Sequence, residues 1–200
     1  MSVSTEAALW YAGRGTGVVS LLLLTLVMVL GVGSRSGRPA FGLPRFAVVA
    51  LHRYASMLAV TFLVVHVVTL SLDPQAQLKL VDLLLPFDAS YRPLWMGLGT
   101  LGLDFMAAIF VTSLLRQRIG VRVWRAVHWL AYASWPVAIL HTVGTGTDRS
   151  TWWLLALTGI CIGAVGAAMV WRLAEGFGRP RSTVPALPPE RTTHQTEAVR

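Results

Sequence analysis

The sequence is short of two things that soluble domains use freely. Only 13% of its 200 residues are charged, and it has a single cysteine, Cys161. One cysteine excludes an intramolecular disulfide, a thiolate cluster and a C-x-x-C-H motif; Cys161 reads as a small apolar residue inside a helix. Scarce charge beside 54% hydrophobic residues and a mean hydropathy of +0.61 excludes an ordinary soluble domain and points to a membrane protein. Two further absences narrow the class. No strand precedes Gly13-Arg14-Gly15-Thr16-Gly17, so that run is not a phosphate loop. No inverted repeat is visible, which argues against a secondary transporter.

What is present is a series of long apolar runs. Five of them, about 9–32, 46–72, 93–115, 123–144 and 152–173, reach the roughly 20 residues that a bilayer crossing needs. The expected fold is all-α: a polytopic bundle of five transmembrane helices. Thirteen arginines fall on one side of it, against Arg14, Lys79, Arg92 and Arg149 on the other. The positive-inside tendency then places the N-terminus outside and the C-terminus inside. Cleaving the first run as a signal peptide would start the Arg35, Arg38 and Arg45 loop on the outside, against that tendency. The net charge of +8 belongs to these juxtamembrane flanks rather than to a nucleic-acid groove. Aromatics follow the same frame, with Trp10, Tyr11, Tyr91, Trp95, Trp152 and Trp153 outside and Trp124, Trp129 and Trp171 inside.

The organisation is one membrane domain, residues 1–175, followed by a cytoplasmic tail, residues 176–200, whose proline-rich polar composition predicts disorder. The external stretch QLKLVDLLLPF predicts a short interfacial helix ended by Pro86, placed where it would cover the outer end of a site. Gly159, Gly163 and Ala167 form a small-residue stripe, expected to pack within the bundle.

Four histidines stand inside these spans, where an ionisable side chain is costly and points to function. HRYASMLAVTFLVVH begins at His52 and ends at His66; HWLAYASWPVAILH begins at His128 and ends at His141. The two helices run parallel, and at about 1.5 Å per residue the pairs are separated by roughly 21 and 19.5 Å, so their levels coincide. Two neutral imidazoles facing each other at one depth suit the axial positions of a haem iron between helices. Zinc fits worse, because a closed site needs about four converging ligands. Phase is the harder test. His52 and His66 share a face, whereas His128 and His141 stand roughly 140° apart on an ideal helix. A distortion near Ala133 to Pro136 is therefore expected.

The spacings H-x13-H in one helix and H-x12-H in the next but one resemble the ferric reductase transmembrane domain shared by ferric reductases and NADPH oxidases. That resemblance covers nearly all of the chain before the tail. It implies two non-covalent b-type haems, the inner held by His52 with His128 and the outer by His66 with His141. It also implies an oxidoreductase membrane component of bacterial plasma-membrane type, passing electrons from the cytoplasmic side to an external acceptor. Only a short polar segment follows the last span, so no FAD or NAD(P) site is expected in this chain. The expected donor is a separate flavoprotein, a redox subunit or a membrane quinol.

Arg53 adjoins His52 and Arg125 precedes His128 by three residues, so each either pairs with an inner propionate or snorkels to the interface. Arg14 stands in the same relation to an outer propionate. Asp104, in the third span, is either bonded to a hydroxyl or active in tuning potential or carrying protons. Trp135 and Phe62 lie between the two levels, as spacers or as plain packing. The competing class is a non-haem transporter or structural membrane protein whose histidines handle protons or substrate.

Overall fold

The computed structural model describes residues 3–34, 42–74, 76, 78–145 and 151–177. The expected tail beyond 177, and with it most of the second domain, lies outside the described residues, as do Arg35, Arg38 and Arg149. Among the described residues six α-helical elements follow one another: α1 Val3–Ser34, α2 Arg45–Leu72, α3 Pro93–Leu114, α4 Arg116–His128 with a kink at Gly120 (φ 80°, ψ 158°), α5 Leu130–Thr145 and α6 Trp152–Phe177. Among the described residues α1, α2, α3 and α6 are long and apolar enough to cross a membrane. The architecture is that of a multi-pass integral membrane protein.

Most hydroxyls inside these helices are satisfied locally, as a medium without water favours, the buried Thr158 Oγ1 on α6 being an exception. Ser20, Thr25, Ser56, Thr69, Thr112 and Thr142 each donate to a carbonyl four residues back. Large apolar side chains such as Met57, Leu58 and Val64 on α2 and Ile160 and Val170 on α6 remain outward-facing, as side chains toward lipid do. The core is correspondingly thin. Leu30, Val48 and Ala55 close one end of the α1–α2 contact, with Val27 and Trp171 against them. Leu21, Ile139 and Cys161 join α1, α5 and α6, so Cys161 is the small buried residue expected of it.

Antiparallel α1 packs along α2, and α3 packs along α5. Helix α2, which carries His52 and His66, makes almost no backbone approach to α4 or α5, which carry His128 and His141. The two sides face each other through side chains, an arrangement that the rest of the bundle maintains.

Three expectations change. The run 123–144 is interrupted at one residue: the arginine-rich helix α4 ends at His128 and α5 begins at Leu130, while Trp129 between them keeps helical dihedrals (φ −63°, ψ −22°). The breakpoint is Trp129, where Trp129 N–H donates to the Ala126 carbonyl and Tyr132 N–H to that of Trp129. These i to i−3 bonds tighten the chain locally. Pro136 sits inside α5 without ending it, so the interruption lies at Trp129 rather than at 133–136. Gly159, Gly163 and Ala167 face outward from the bundle, with nothing within 4 Å of a Cβ at either glycine. The stripe therefore does not mediate packing within the chain.

The external connection folds back on α3. The expected short helix is a 3-10 turn, Leu80–Leu83, that ends before Pro86 and is capped reciprocally by Lys79 and the buried Asp82. Thr100 donates to the Asp82 carbonyl at 2.7 Å, and Phe87 packs against Gly97. Phe87 and Arg92 both adopt positive φ, 72° and 42°, to bring the chain round into Pro93 at the first position of α3.

Candidate functional site

Three of the four membrane histidines share one kind of seat. His66 donates from Nδ1 to the Gly13 carbonyl at 2.7 Å, and a Cβ on Gly17 would stand 2.8 Å from its Cε1. His52 repeats this with the Val27 carbonyl at 3.1 Å and Gly31. His141 repeats it with the Trp95 carbonyl at 2.8 Å and Gly99, while Thr145 Oγ1 lies 3.3 Å from the same nitrogen. Each seat pairs a carbonyl at position i with a glycine at i+4.

The chemistry of that pairing is direct. A helical side chain leans toward the N-terminus and covers the turn before it, so a side chain at i+4 would shield the carbonyl at i. Glycine uncovers it. A carbonyl only accepts, which makes Nδ1 the protonated nitrogen and leaves the lone pair on Nε2. Three imidazoles are thus fixed in the tautomer that binds metal through Nε2.

The fourth, His128, ends α4. Its ring stacks on Trp124, with centroids 5.0 Å apart and planes 28° apart. It also faces His52, at a centroid distance of 6.5 Å and an interplanar angle of 70°. Two nitrogen–metal bonds of about 2 Å with the two ring radii require roughly 6.3 Å between centroids. The inner pair therefore stands at a separation that would suit one metal ion held between the two imidazoles. His66 and His141 are each held through Nδ1 by a seat of the same kind, on α1 and α3 respectively. Among the described residues no group of three or more His, Cys, Asp or Glu converges on one point. The donor set is two imidazole pairs, which fits haem iron rather than a closed zinc site.

The remaining candidates are placed as follows. Arg14 lies over Trp10 at 4.2 Å, next to the Gly13 carbonyl that seats His66. Arg53 and Arg125 are exposed on α2 and α4, near the inner pair in sequence, while Asp104 and Phe62 are half-buried on α3 and α2. Trp135 is directed into the core: its Nε1 donates to Thr25 Oγ1 at 3.0 Å and its ring packs on the Leu21, Ile139 and Cys161 cluster. Its role is packing.

Sequence reasoning missed the seats. Gly17 and Gly31 stand fourteen residues apart in α1, the same interval as His52 and His66 in antiparallel α2. That match of intervals was the available signal. It also missed Arg92, whose Nη1 donates to the Gly144 carbonyl at 2.9 Å, one turn beyond His141.

The family model described as ferric reductase like transmembrane component matches residues 16–142. No curated protein and no solved structure matches the chain.

Proposed function

The chain belongs to the ferric reductase-like transmembrane family, and from that premise we propose that it carries electrons across a membrane on two b-type haems. His52 and His128 hold the inner one, and His66 and His141 the outer. The observation that carries this reading is the inner pair, with its rings 6.5 Å apart between helices that otherwise avoid each other. Bound haem iron supplies a one-electron carrier at each level.

The chain's own residues do the rest. The Gly13, Val27 and Trp95 carbonyls hold three imidazoles with Nε2 available and raise their basicity as ligands. The apolar faces of α2 and α5 exclude water. Arg53 and Arg125 serve the inner propionates and Arg14 the outer. With the C-terminal side of α1 in the cytoplasm, α5 together with the end of α4 completes a fifth crossing. Electrons enter from a separate flavoprotein, redox subunit or quinol and leave to an acceptor outside.

The test is a reduced-minus-oxidised visible spectrum of the purified chain with a haem-to-protein ratio. A b-type spectrum with two haems per chain is expected, falling to one in His141→Ala. A chain from haem-replete cells that shows no b-type signal refutes the proposal and favours a proton- or substrate-handling role for the histidines.

A further inference from the structure

The seats of His52, His66 and His141 repeat along their helices with a register that leads to the fourth. In α1 the pair Gly13 and Gly17 recurs fourteen residues later as Val27 and Gly31. In α3 the outer seat is Trp95 and Gly99, and fourteen residues on stand Ile109 and Ser113. Here the glycine is replaced by a serine. Ser113 Oγ donates to the Ile109 carbonyl at 2.6 Å, taking the acceptor that a histidine takes at the other three positions. The Trp124 indole N–H in turn donates to Ser113 Oγ at 3.2 Å, Arg116 lies over the indole at 5.4 Å, and His128 stacks on it one turn later.

Building on the paired-histidine reading, we infer that Trp124 is the positioning residue of the inner site: it sets the plane of the His128 imidazole and so holds the inner ligand planes steeply crossed. A ring stacked at 28° on a clamped indole has little rotational freedom. Across from it, the Val27 carbonyl and Gly31 fix the His52 ring. Those two restraints produce the 70° crossing.

The crossing has an electronic consequence. An axial imidazole donates π density to the iron orbital perpendicular to its own plane. Parallel planes load one orbital of the pair and give a rhombic low-spin ferric spectrum. Steeply crossed planes load both nearly equally and give a highly anisotropic one, with its main resonance displaced to low field. The geometry thus assigns the inner haem to the anisotropic type.

The experiment is electron paramagnetic resonance of the oxidised full chain in the His141→Ala background, which leaves the inner haem alone, with haem content measured on each sample. The parent should give the displaced low-field resonance. Trp124→Leu should shift it toward the rhombic type, and Trp124→Phe, which keeps an aromatic face, should retain it. Ser113→Ala should broaden it, because the indole loses its tether. Gly31→Ala should move the same resonance from the other side, since its Cβ would stand 3.3 Å from His52 Cε1. If Trp124→Leu loses the haem, recovery of both haem and resonance in Trp124→Phe supports the assignment. A rhombic parent spectrum, an unmoved resonance in Trp124→Leu at full haem content, or a loss that Phe does not reverse overturns it. A parent without haem instead refutes the paired-histidine reading itself, so the two failures are distinct.

Discussion

Replacing Gly17 by alanine probes the seats most cleanly. The added Cβ would meet His66 Cε1 at 2.8 Å and Nδ1 at 3.0 Å. Comfortable carbon contacts begin near about 3.5 Å, so the ring must retreat by roughly 0.7 Å. That retreat stretches the Nδ1 bond to the Gly13 carbonyl, now 2.7 Å, beyond the ~3.2 Å at which such bonds weaken. Overpacking costs about 1–3 kcal/mol and the lost bond about 0.5–1.5 kcal/mol. At about 1.4 kcal/mol per decade, outer haem affinity should fall roughly ten-fold to a thousand-fold or slightly more.

The assay is haem titration of the apo chain, read against the inner haem as internal standard. Gly15→Ala supplies the control, because nothing lies within 4 Å of a Cβ there. Alanine at that helical position should stabilise by about 0.5–1 kcal/mol and leave haem binding alone. Gly99→Ala, with contacts of 2.6 and 2.7 Å to His141, should act more strongly than Gly17→Ala, and Gly31→Ala at 3.3 Å less strongly. Parental outer affinity in Gly17→Ala, or equal losses in Gly15→Ala and Gly17→Ala, would refute the reasoning.

Trp135→Phe removes the bond to Thr25 and should lower thermal stability in detergent by about 0.5–1.5 kcal/mol while both haems remain; a changed haem ratio would show that Trp135 belongs to the site. Arg92→Gln cuts the link between the external connection and the end of α5. A charged hydrogen bond contributes about 1.5–3 kcal/mol, so limited proteolysis between residues 79 and 92 should accelerate tenfold or more; an unchanged rate would mean that Asp82, Thr100 and Phe87 hold the connection alone. Orientation is open to thiol labelling, because the native Cys161 is buried. An impermeant maleimide should label Ser2→Cys in intact cells and Thr193→Cys only after disruption, and the reverse pattern would invert the proposed direction of electron flow.

The parts legible in the sequence were those that depend on composition and on one helix at a time. Apolar length marks the long helices, and the meeting of His52 with His128 accords with the parallel course read for their two segments. The seats were harder to see because half of each is a backbone carbonyl, which any residue provides. Val27 and Trp95 contribute only their main chains, so no side-chain pattern marks them. The Gly159 stripe misled for a related reason: small residues show that a helix face is smooth, not what it faces. The external connection depends on Thr100 and Gly97, distant in sequence and meaningful only once α3 is in place.

The unequal spacings H-x13-H and H-x12-H have one explanation. Fourteen residues fall about 40° short of four full helical turns, so positions at that interval return to nearly the same face two levels apart. In α1 and α2 both levels obey this interval, Gly13 with Val27, Gly17 with Gly31 and His52 with His66, on two unbroken helices. A thirteen-residue interval on one straight helix could not place two ligands toward the same neighbour. His128 and His141 do not follow that interval, because the i to i−3 bonds at Trp129 change the helical phase between α4 and α5. Each therefore takes its orientation from a different source, His141 from the Trp95 carbonyl and Gly99 on α3, His128 from the Trp124 and Ser113 clamp. The missing residue in the second spacing, the tightened turn at Trp129 and the serine in place of a seat glycine at 113 all fall on the His128 side of the inner level.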